Sequence, residues 1–280
     1  MNLSALKQHF NTQLDIYPES ERLVFFQRLC EAYLNLKPYQ LVLNYSKEVP
    51  NGVVNSFEHA LSRLKNHEPI QYILGTAYFF GGTYSVNPSV LIPRPETEEL
   101  VAWILSHFDS KDAPTILDLG TGSGCIAVAL AKALPHAQVF ALDVSLDALE
   151  VARSNARKNN TKVNFIEGDM LDWSSKLCFD VVVSNPPYVC ALEQNQMNEN
   201  VLAHEPHLAL FVSDDAPLIF YEALKNIAQT NLKPNGLCFA EINEHYGNET
   251  KALFDTLNFK NRVIKKDTFG KDRMLKAQKK

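Results

Sequence analysis

From Thr115 onward the chain alternates short β-rich runs with helical stretches, and few folds accommodate that order. Thr115-Ile-Leu-Asp-Leu119 reads as a strand, followed by a glycine-rich turn and a helix that stops at Pro135. The next strand is 139–142, and a helix follows over 146–158. Runs at 163–166, 180–183 and 237–242 continue the strand series, with a helix near 216–232 ahead of the last. Strands separated by helices pair in parallel, because a parallel crossover needs a dozen or more residues. The class expected is α/β: a doubly wound, mostly parallel sheet. In such sheets ligands bind beyond the carboxyl ends of the strands, where strand order reverses. Functional residues should therefore lie just after strands.

Ahead of that region the pattern differs. Residues 1–70 read as a helical domain. Apolar residues recur at three- and four-residue spacing through Glu21–Leu36, which Ser20 can cap, and through Ser56–Lys65, which ends before Pro69. Residues 71–90 carry short β-rich runs at Tyr72-Ile-Leu74, Tyr78-Phe-Phe80 and Thr83-Tyr-Ser-Val86, with Gly81-Gly82 at a turn. They read as a β-hairpin bridging the helical domain to residues 91–280. A chain of 280 residues has length for one large core plus a smaller domain.

Composition removes several function classes. No apolar run approaches the roughly 20 residues that cross a bilayer, and the amphipathic start MNLSALKQHFNTQLD is unlike a secretory signal. No membrane association is expected. The five cysteines are an odd number without CxxC spacing, which points away from disulfides and zinc and toward a reducing cytoplasm. The net charge of −5 leaves no general basic surface for a phosphate backbone, so autonomous nucleic-acid binding is not expected. The Lys276–Lys280 tail reads as a solvated terminus. A monomer is the expected state.

Asp118-Leu-Gly120-Thr121-Gly122-Ser123-Gly124 follows the first strand of the α/β region and opens a helix. Glycines there let a backbone approach a ligand closely, a feature that dinucleotide and nucleoside sites share. Two acids narrow the choice. Asp143 ends the next strand, where a carboxylate can accept from both ribose hydroxyls. Asp169 follows the third strand, where it can accept from an adenine amine. The phosphate-cradling pattern GxxxxGK[ST] is absent, and the sixth position of a GxGxxG reading is Cys125. Ribose and adenine without a phosphate describe S-adenosylmethionine.

The fourth strand ends in Val181-Val-Val-Ser-Asn185-Pro186-Pro187-Tyr188, a stiff corner with an amide in it. A planar NH₂ group is a poor nucleophile because its lone pair is delocalised into the adjoining π system, as in a peptide bond. Two fixed acceptors for its N–H groups would favour the pyramidal geometry that attacks, held near 3–3.5 Å from the methyl. Asn185 offers a side-chain carbonyl and Pro186 a main-chain carbonyl. Proline restricts both itself and the preceding residue, so the pair is preorganised. Tyr188 can present a flat face to a planar substrate. Water suffices to take the proton that the product nitrogen loses. A carboxamide and a base exocyclic amine both satisfy this chemistry.

With these motifs the sequence resembles the peptide chain release factor glutamine methyltransferases, over the whole chain. NPPY alone is shared with many amino-group methyltransferases, DNA adenine and some RNA enzymes among them. More discriminating are His67–Gly75 (HEPIQYILG), Leu91–Glu98 (LIPRPETE) and Glu205-Pro206. The resemblance implies a class I methyltransferase fold using S-adenosylmethionine. It implies release factors as partners, methylated on the side-chain amide nitrogen of the glutamine in Gly-Gly-Gln, with the helical domain gripping the substrate. Cofactor contacts fall on Gly120, Thr121, Gly122, Ser123, Gly124, Asp143, Asp169 and Asn185, and on Met170, whose thioether covers adenine where an aromatic can occur. Substrate contacts fall on Asn185, Pro186, Pro187 and Tyr188, and on Arg94 and Glu205. Ribosomal-protein glutamine methyltransferases differ after the IPR segment, and Pro95-Glu-Thr-Glu98 favours the release-factor branch.

Arg94 can equally pair with a neighbouring carboxylate, and Glu205 can fix the loop after NPPY. His204 and His207 suit a substrate-loop contact better than a metal, since Pro206 breaks any helical ligand pair. Nothing near Cys125 or Cys190 suggests an activated thiolate. A nucleic-acid amino-methyltransferase is the second reading, and a nucleoside-binding protein with a dead site is the third. The acidic balance opposes the former and the intact NPPY opposes the latter.

Overall fold

The structure is a computed structural model that describes residues 1–280, except for the side chain of Gln196. It divides into two compact units, Met1–Gly75 with Asn198–His204, and Thr76–Met197 with Glu205–Lys280.

The first unit is helical, with α1 (Leu3–Gln13), α2 (Glu19–Leu34), α3 (Pro38–Asn44), α4 (Asn51–Lys65) and α5 (Ile70–Leu74). Leu3, Leu6, Phe10, Phe26, Leu29 and Phe57 are the centre of its core, each on the inward stripe of its helix. Two expectations need correction. Ser20 does not cap α2, which starts two residues earlier than expected, with Pro18 at the cap and Glu19 and Glu21 in the first turn. Tyr72-Ile-Leu74 is helix, not strand. Pro69 opens that single turn and Gly75, at φ 67°, closes it by donating to Gln71 O and Tyr72 O.

The second unit begins with the hairpin β1 (Thr76–Phe79) and β2 (Gly82–Ser85). Its loop is Phe80-Gly81, both residues at positive φ, the backbone of a type I′ turn. Then follow α6 (Pro95–Leu105), β3 (Thr115–Leu119), α7 (Cys125–Ala133), β4 (Gln138–Asp143), α8 (Leu146–Lys158), β5 (Val163–Glu167) and β6 (Phe179–Ser184). After the short elements β7 (Val189–Cys190), α9 (Glu199–His204, in the first unit), α10 (His207–Leu210) and β8 (Phe211–Val212) come α11 (Ile219–Asn231) and β9 (Leu232–Glu241). Helix α12 (Gly247–Leu253) and strands β10 (Phe259–Lys266) and β11 (Asp272–Lys279) end the chain.

The sheet order is β10-β11-β9-β6-β3-β4-β5. Five strands from β9 to β5 pair in parallel, as the alternation predicts, and β11 runs antiparallel to both of its neighbours. Strand order reverses between β3 and β6. The Lys276–Lys280 stretch is therefore not a solvated tail. Most of it belongs to β11, which buries Met274, Leu275 and Ala277 while its lysines stay part-exposed at the surface. Both sheet faces are covered. Ile116, Val181 and Val183 share one apolar cluster with residues of α6 and α7, and Leu117, Leu119 and Val182 share the other with residues of α11. This is why the strands read as continuous apolar runs.

Candidate active site

β3 and β6 meet where the strand order reverses, with Leu119 paired to Ser184. Ser184 Oγ donates to the Leu119 carbonyl at 2.8 Å. The glycine turn and the NPPY corner thus leave from one clamped pair of strand ends.

The turn takes its shape from left-handed backbone at Gly120, Gly122 and Gly124, with φ of 67°, 53° and 78°. At Gly124 space is decisive as well, since an added Cβ would lie 3.0 Å from Ala152 Cβ on α8. The neighbouring strand ends are tied to this turn. Thr121 N donates to Leu142 O at 3.0 Å, Gly168 N donates to Asp143 O at 3.0 Å, and Gly122 N donates to Asp143 Oδ2 at 2.8 Å. Asp143 Oδ1 accepts from Ser145 N at 2.9 Å. Burial pushes the Asp143 carboxyl up, opposed by these amides. Next to the turn, Asp118 is fully buried. The Thr121 hydroxyl donates to its Oδ2 at 2.6 Å, and Oδ1 has no hydrogen-bond partner. Burial pushes this carboxyl up to about 7, against the Thr121 bond and the nearby Ala127 amide.

A cavity of about 410 Å³ opens over these groups. Of the expected cofactor contacts it is lined by Gly120, Thr121, Gly122, Ser123, Asp143, Asp169, Met170 and Asn185, and of the expected substrate contacts also by Pro187 and Arg94. Gly124, Pro186, Tyr188 and Glu205 lie outside that lining. Gly124 opens α7 against α8. Tyr188 packs its ring on the core that α11 covers, and its hydroxyl donates to Glu241 Oε1 at 2.9 Å. The ring expected to offer a flat face, that of Tyr188, is not among the groups that line the cavity. Glu205 is not placed as a substrate contact either. Its side chain is only 1% exposed, accepting from Ile92 N at 3.1 Å and from Arg94 Nη2 at 2.6 Å. Together the two hold the segment 89–94, which supplies Ser89, Val90, Leu91, Pro93 and Arg94 to the cavity wall.

Asn185 stands at one end of a chain of hydrogen bonds. Its Nδ2 donates to Thr97 Oγ1 at 3.2 Å, and the Thr97 hydroxyl donates to Glu241 Oε2 at 2.6 Å. Glu241 ends β9 and is buried, which pushes its carboxyl up while Thr97, Tyr188 and Arg273 act against that shift. Asn243 Nδ2 donates to the Tyr188 carbonyl at 2.9 Å, so the corner is held where it leaves the site.

Thr97 and Glu241 were not anticipated from sequence. Thr97 stands inside the IPRPETE stretch, and Glu241 is a charge within the apolar run LCFAEI, which is itself a signal of a paired buried acid. Asn155 was missed as well. Fully buried on α8, it bonds Ser85 N and O of the hairpin and the Ser123 carbonyl of the turn. The remaining candidates have plain places. His204 Nε2 lies 2.7 Å from Asn66 O, and the His207 ring packs edge-on to Phe211. Among the described residues no group of three or more His, Cys, Asp or Glu could hold a metal ion. Burial pushes the Cys125 thiol up to about 12 and also raises Cys190. Neither is an activated thiolate. No helix among the described residues is long and apolar enough to cross a membrane.

Comparison with known proteins bears on what this arrangement belongs to. The "PrmC N-terminal domain" family model matches residues 6–75, and the "Methyltransferase small domain" model matches residues 100–210. A release factor glutamine methyltransferase from Flavobacterium psychrophilum is 48% identical over 266 residues, covering 94% of this chain and 93% of that one. A second, from Bacteroides thetaiotaomicron, is 40% identical over 265 residues, covering 94% and 95%. The crystal structure of a methyltransferase from Pyrococcus furiosus superimposes with a TM-score of 0.52 at 20% identity, over 79% of this chain and 98% of that one, a likeness of fold alone. With identity of this order along nearly the full length, and with the glycine turn and the NPPY corner on adjacent strand ends, the chain belongs to the release factor glutamine methyltransferase family.

Proposed function

We propose that this chain moves a methyl group from S-adenosylmethionine to the side-chain amide nitrogen of the glutamine in the Gly-Gly-Gln loop of release factors. One observation carries the reading: a single cavity is lined both by the glycine turn with Asp143 and by Asn185 of the corner.

The residues suit the cofactor. Each Asp143 oxygen accepts one amide and keeps a lone pair for a ribose hydroxyl. Met170 and Asp169 offer an apolar cover and an acceptor for adenine. Arg94 is the one Lys or Arg in the lining, and Glu205 holds it, so no cation is left to cradle a phosphate. Bound here, S-adenosylmethionine supplies a sulfonium-borne methyl: the S–CH₃ bond breaks with its electron pair left on sulfur, and an N–CH₃ bond forms. The protein contributes position. Asn185 Oδ1 and the Pro186 carbonyl accept the two N–H groups of the substrate amide and turn its lone pair toward the methyl. One proton then passes from nitrogen to water.

The five cysteines are all free, which suits a reducing cytoplasm where release factors work. The test offers labelled S-adenosylmethionine with purified release factor, its Gln→Ala variant, a ribosomal protein, DNA and RNA. Label on the wild-type factor alone is expected. Label on nucleic acid or on the ribosomal protein, with none on the factor, would overturn the reading.

A further inference from the structure

We propose that Glu241 and Thr97 are positioning residues that decide which way the Asn185 amide faces. The inference deepens the function proposed above and rests on it.

Hydrogen-bond direction fixes the amide. A carboxylate can only accept. Glu241 Oε2 lies 2.6 Å from Thr97 Oγ1, and Oε1 lies 2.9 Å from the Tyr188 hydroxyl. Thr97 has a single hydroxyl proton and commits it to Glu241. Its oxygen is then able only to accept, so the Asn185 group 3.2 Å away must be the NH₂ end. The carbonyl end, Oδ1, points away from Thr97 and is left to receive an N–H of the substrate. In the reverse orientation the Asn185 NH₂ would meet the substrate NH₂, donor against donor, and the second acceptor would be gone. An amide has nearly the same shape in both orientations. Packing alone therefore does not choose between them, and the choice falls to the acceptor-only carboxylate two bonds away.

Three further features fit this role. The parts come from distant stretches, with Thr97 144 residues from Glu241 and 88 from Asn185, so no local turn geometry accounts for the alignment. Burial raises the Glu241 carboxyl, and the Thr97 and Tyr188 hydroxyls, with the charge of Arg273 (joined to Asp267 at 3.2 Å), act against that shift, toward the charged, acceptor-only form. Asn243, two residues past Glu241, bonds the Tyr188 carbonyl at 2.9 Å, so the end of β9 grips Tyr188 at both its hydroxyl and its backbone. That grip also steadies the Pro186 carbonyl, the other acceptor of the pair.

The experiment compares wild type, Thr97→Val, Thr97→Ser and Glu241→Gln. Methyl transfer to purified release factor is measured at saturating labelled S-adenosylmethionine, with S-adenosylhomocysteine affinity by calorimetry and thermal unfolding alongside. Thr97→Val keeps the shape and removes the relay, and kcat is expected to fall on the order of 10- to 100-fold. Cofactor affinity should stay within about twofold. Glu241→Gln, whose amide can donate to Thr97, should do the same. Thr97→Ser restores the hydroxyl and should recover most of the lost kcat. If Glu241→Gln does not fold, the isosteric Thr97→Val decides. Wild-type turnover with an unimpaired Thr97→Val, or kcat and cofactor affinity falling together in that variant, would overturn the inference alone. Absence of transfer by wild type would overturn the function and this inference with it.

Discussion

Arg94 Nη2 lies 2.6 Å from Glu205 Oε1, joining residues 111 positions apart, and the carboxylate side chain is only 1% exposed. Glu205 also accepts from Ile92 N, so one buried acid holds the segment before α6 against the loop that follows NPPY. Removing one partner of a buried pair costs more than the pair contributes, because the other charge stays desolvated. Arg94→Ala is therefore expected to lower unfolding stability by about 2–4 kcal/mol, the partial exposure of Arg94 keeping it short of the fully buried case. The double variant Arg94→Ala with Glu205→Ala should cost less than the sum of the two single changes. Urea unfolding of the four proteins tests this, and strict additivity would contradict the pairing.

Gly124 and Gly120 separate two reasons for a glycine. Both hold positive φ, but only Gly124 has a neighbour within 3.0 Å of an added Cβ, on Ala152. Gly124→Ala should lose about 2–4 kcal/mol, left-handed strain plus the displacement of α8. Gly120→Ala should lose only about 1–2 kcal/mol from strain, with reduced cofactor affinity because the strained turn lines the cavity. Equal stability losses in the two variants would show that the contact with Ala152 is not a constraint.

The parts of the site that sequence made visible are those whose chemistry is local. A parallel strand buried on both faces reads as an unbroken apolar run, and Val181–Val183 lies with its residues in two different cores. The glycine turn and NPPY follow β3 and β6 directly, so finding the strands finds them. Hydrogen bonds across the sheet leave no such trace. Thr97 meets Asn185, and Arg94 meets Glu205, only once the chain has crossed over. Part-exposed lysines hid β11, which buries Met274 on one face of the sheet and Leu275 and Ala277 on the other. Helix α5 was hidden by composition. Tyr72 and Ile73 favour strand, yet Pro69 at its start and Gly75 at its end confine the segment to one helical turn.

Asp118 gives the protein a pH signature. Its folded carboxyl is pushed up to about 7 from the ordinary aspartate value of about 3.9, chiefly by burial. A raised acid binds its proton more tightly when folded, so stability is fully present below the unfolded pKa and is lost as pH rises through the folded one. Unfolding free energy of wild type is expected to fall between about pH 4 and pH 7 relative to Asp118→Asn, which removes the titrating group. Parallel stability curves for the two proteins across that window would show that Asp118 does not hold a proton there.

Asn185 supplies the sharpest separation between binding and chemistry. Its side chain lines the cavity, but the groups expected to hold the cofactor are mostly elsewhere, on the glycine turn, Asp143 and Met170. Asn185→Ala removes one of the two acceptors that orient the attacking amide and leaves those groups in place. Loss of one preorganised hydrogen-bonding group in an active site typically costs about 10²- to 10³-fold in kcat. That drop is expected here, with cofactor affinity changing by less than about tenfold, because an interaction made in the transition state is lost while ground-state binding is largely kept. Single-turnover methyl transfer and equilibrium binding of S-adenosylhomocysteine measure the two quantities separately. Should both fall by the same factor, Asn185 would be holding the cofactor or the corner itself, and the two-acceptor account of the transfer would be wrong.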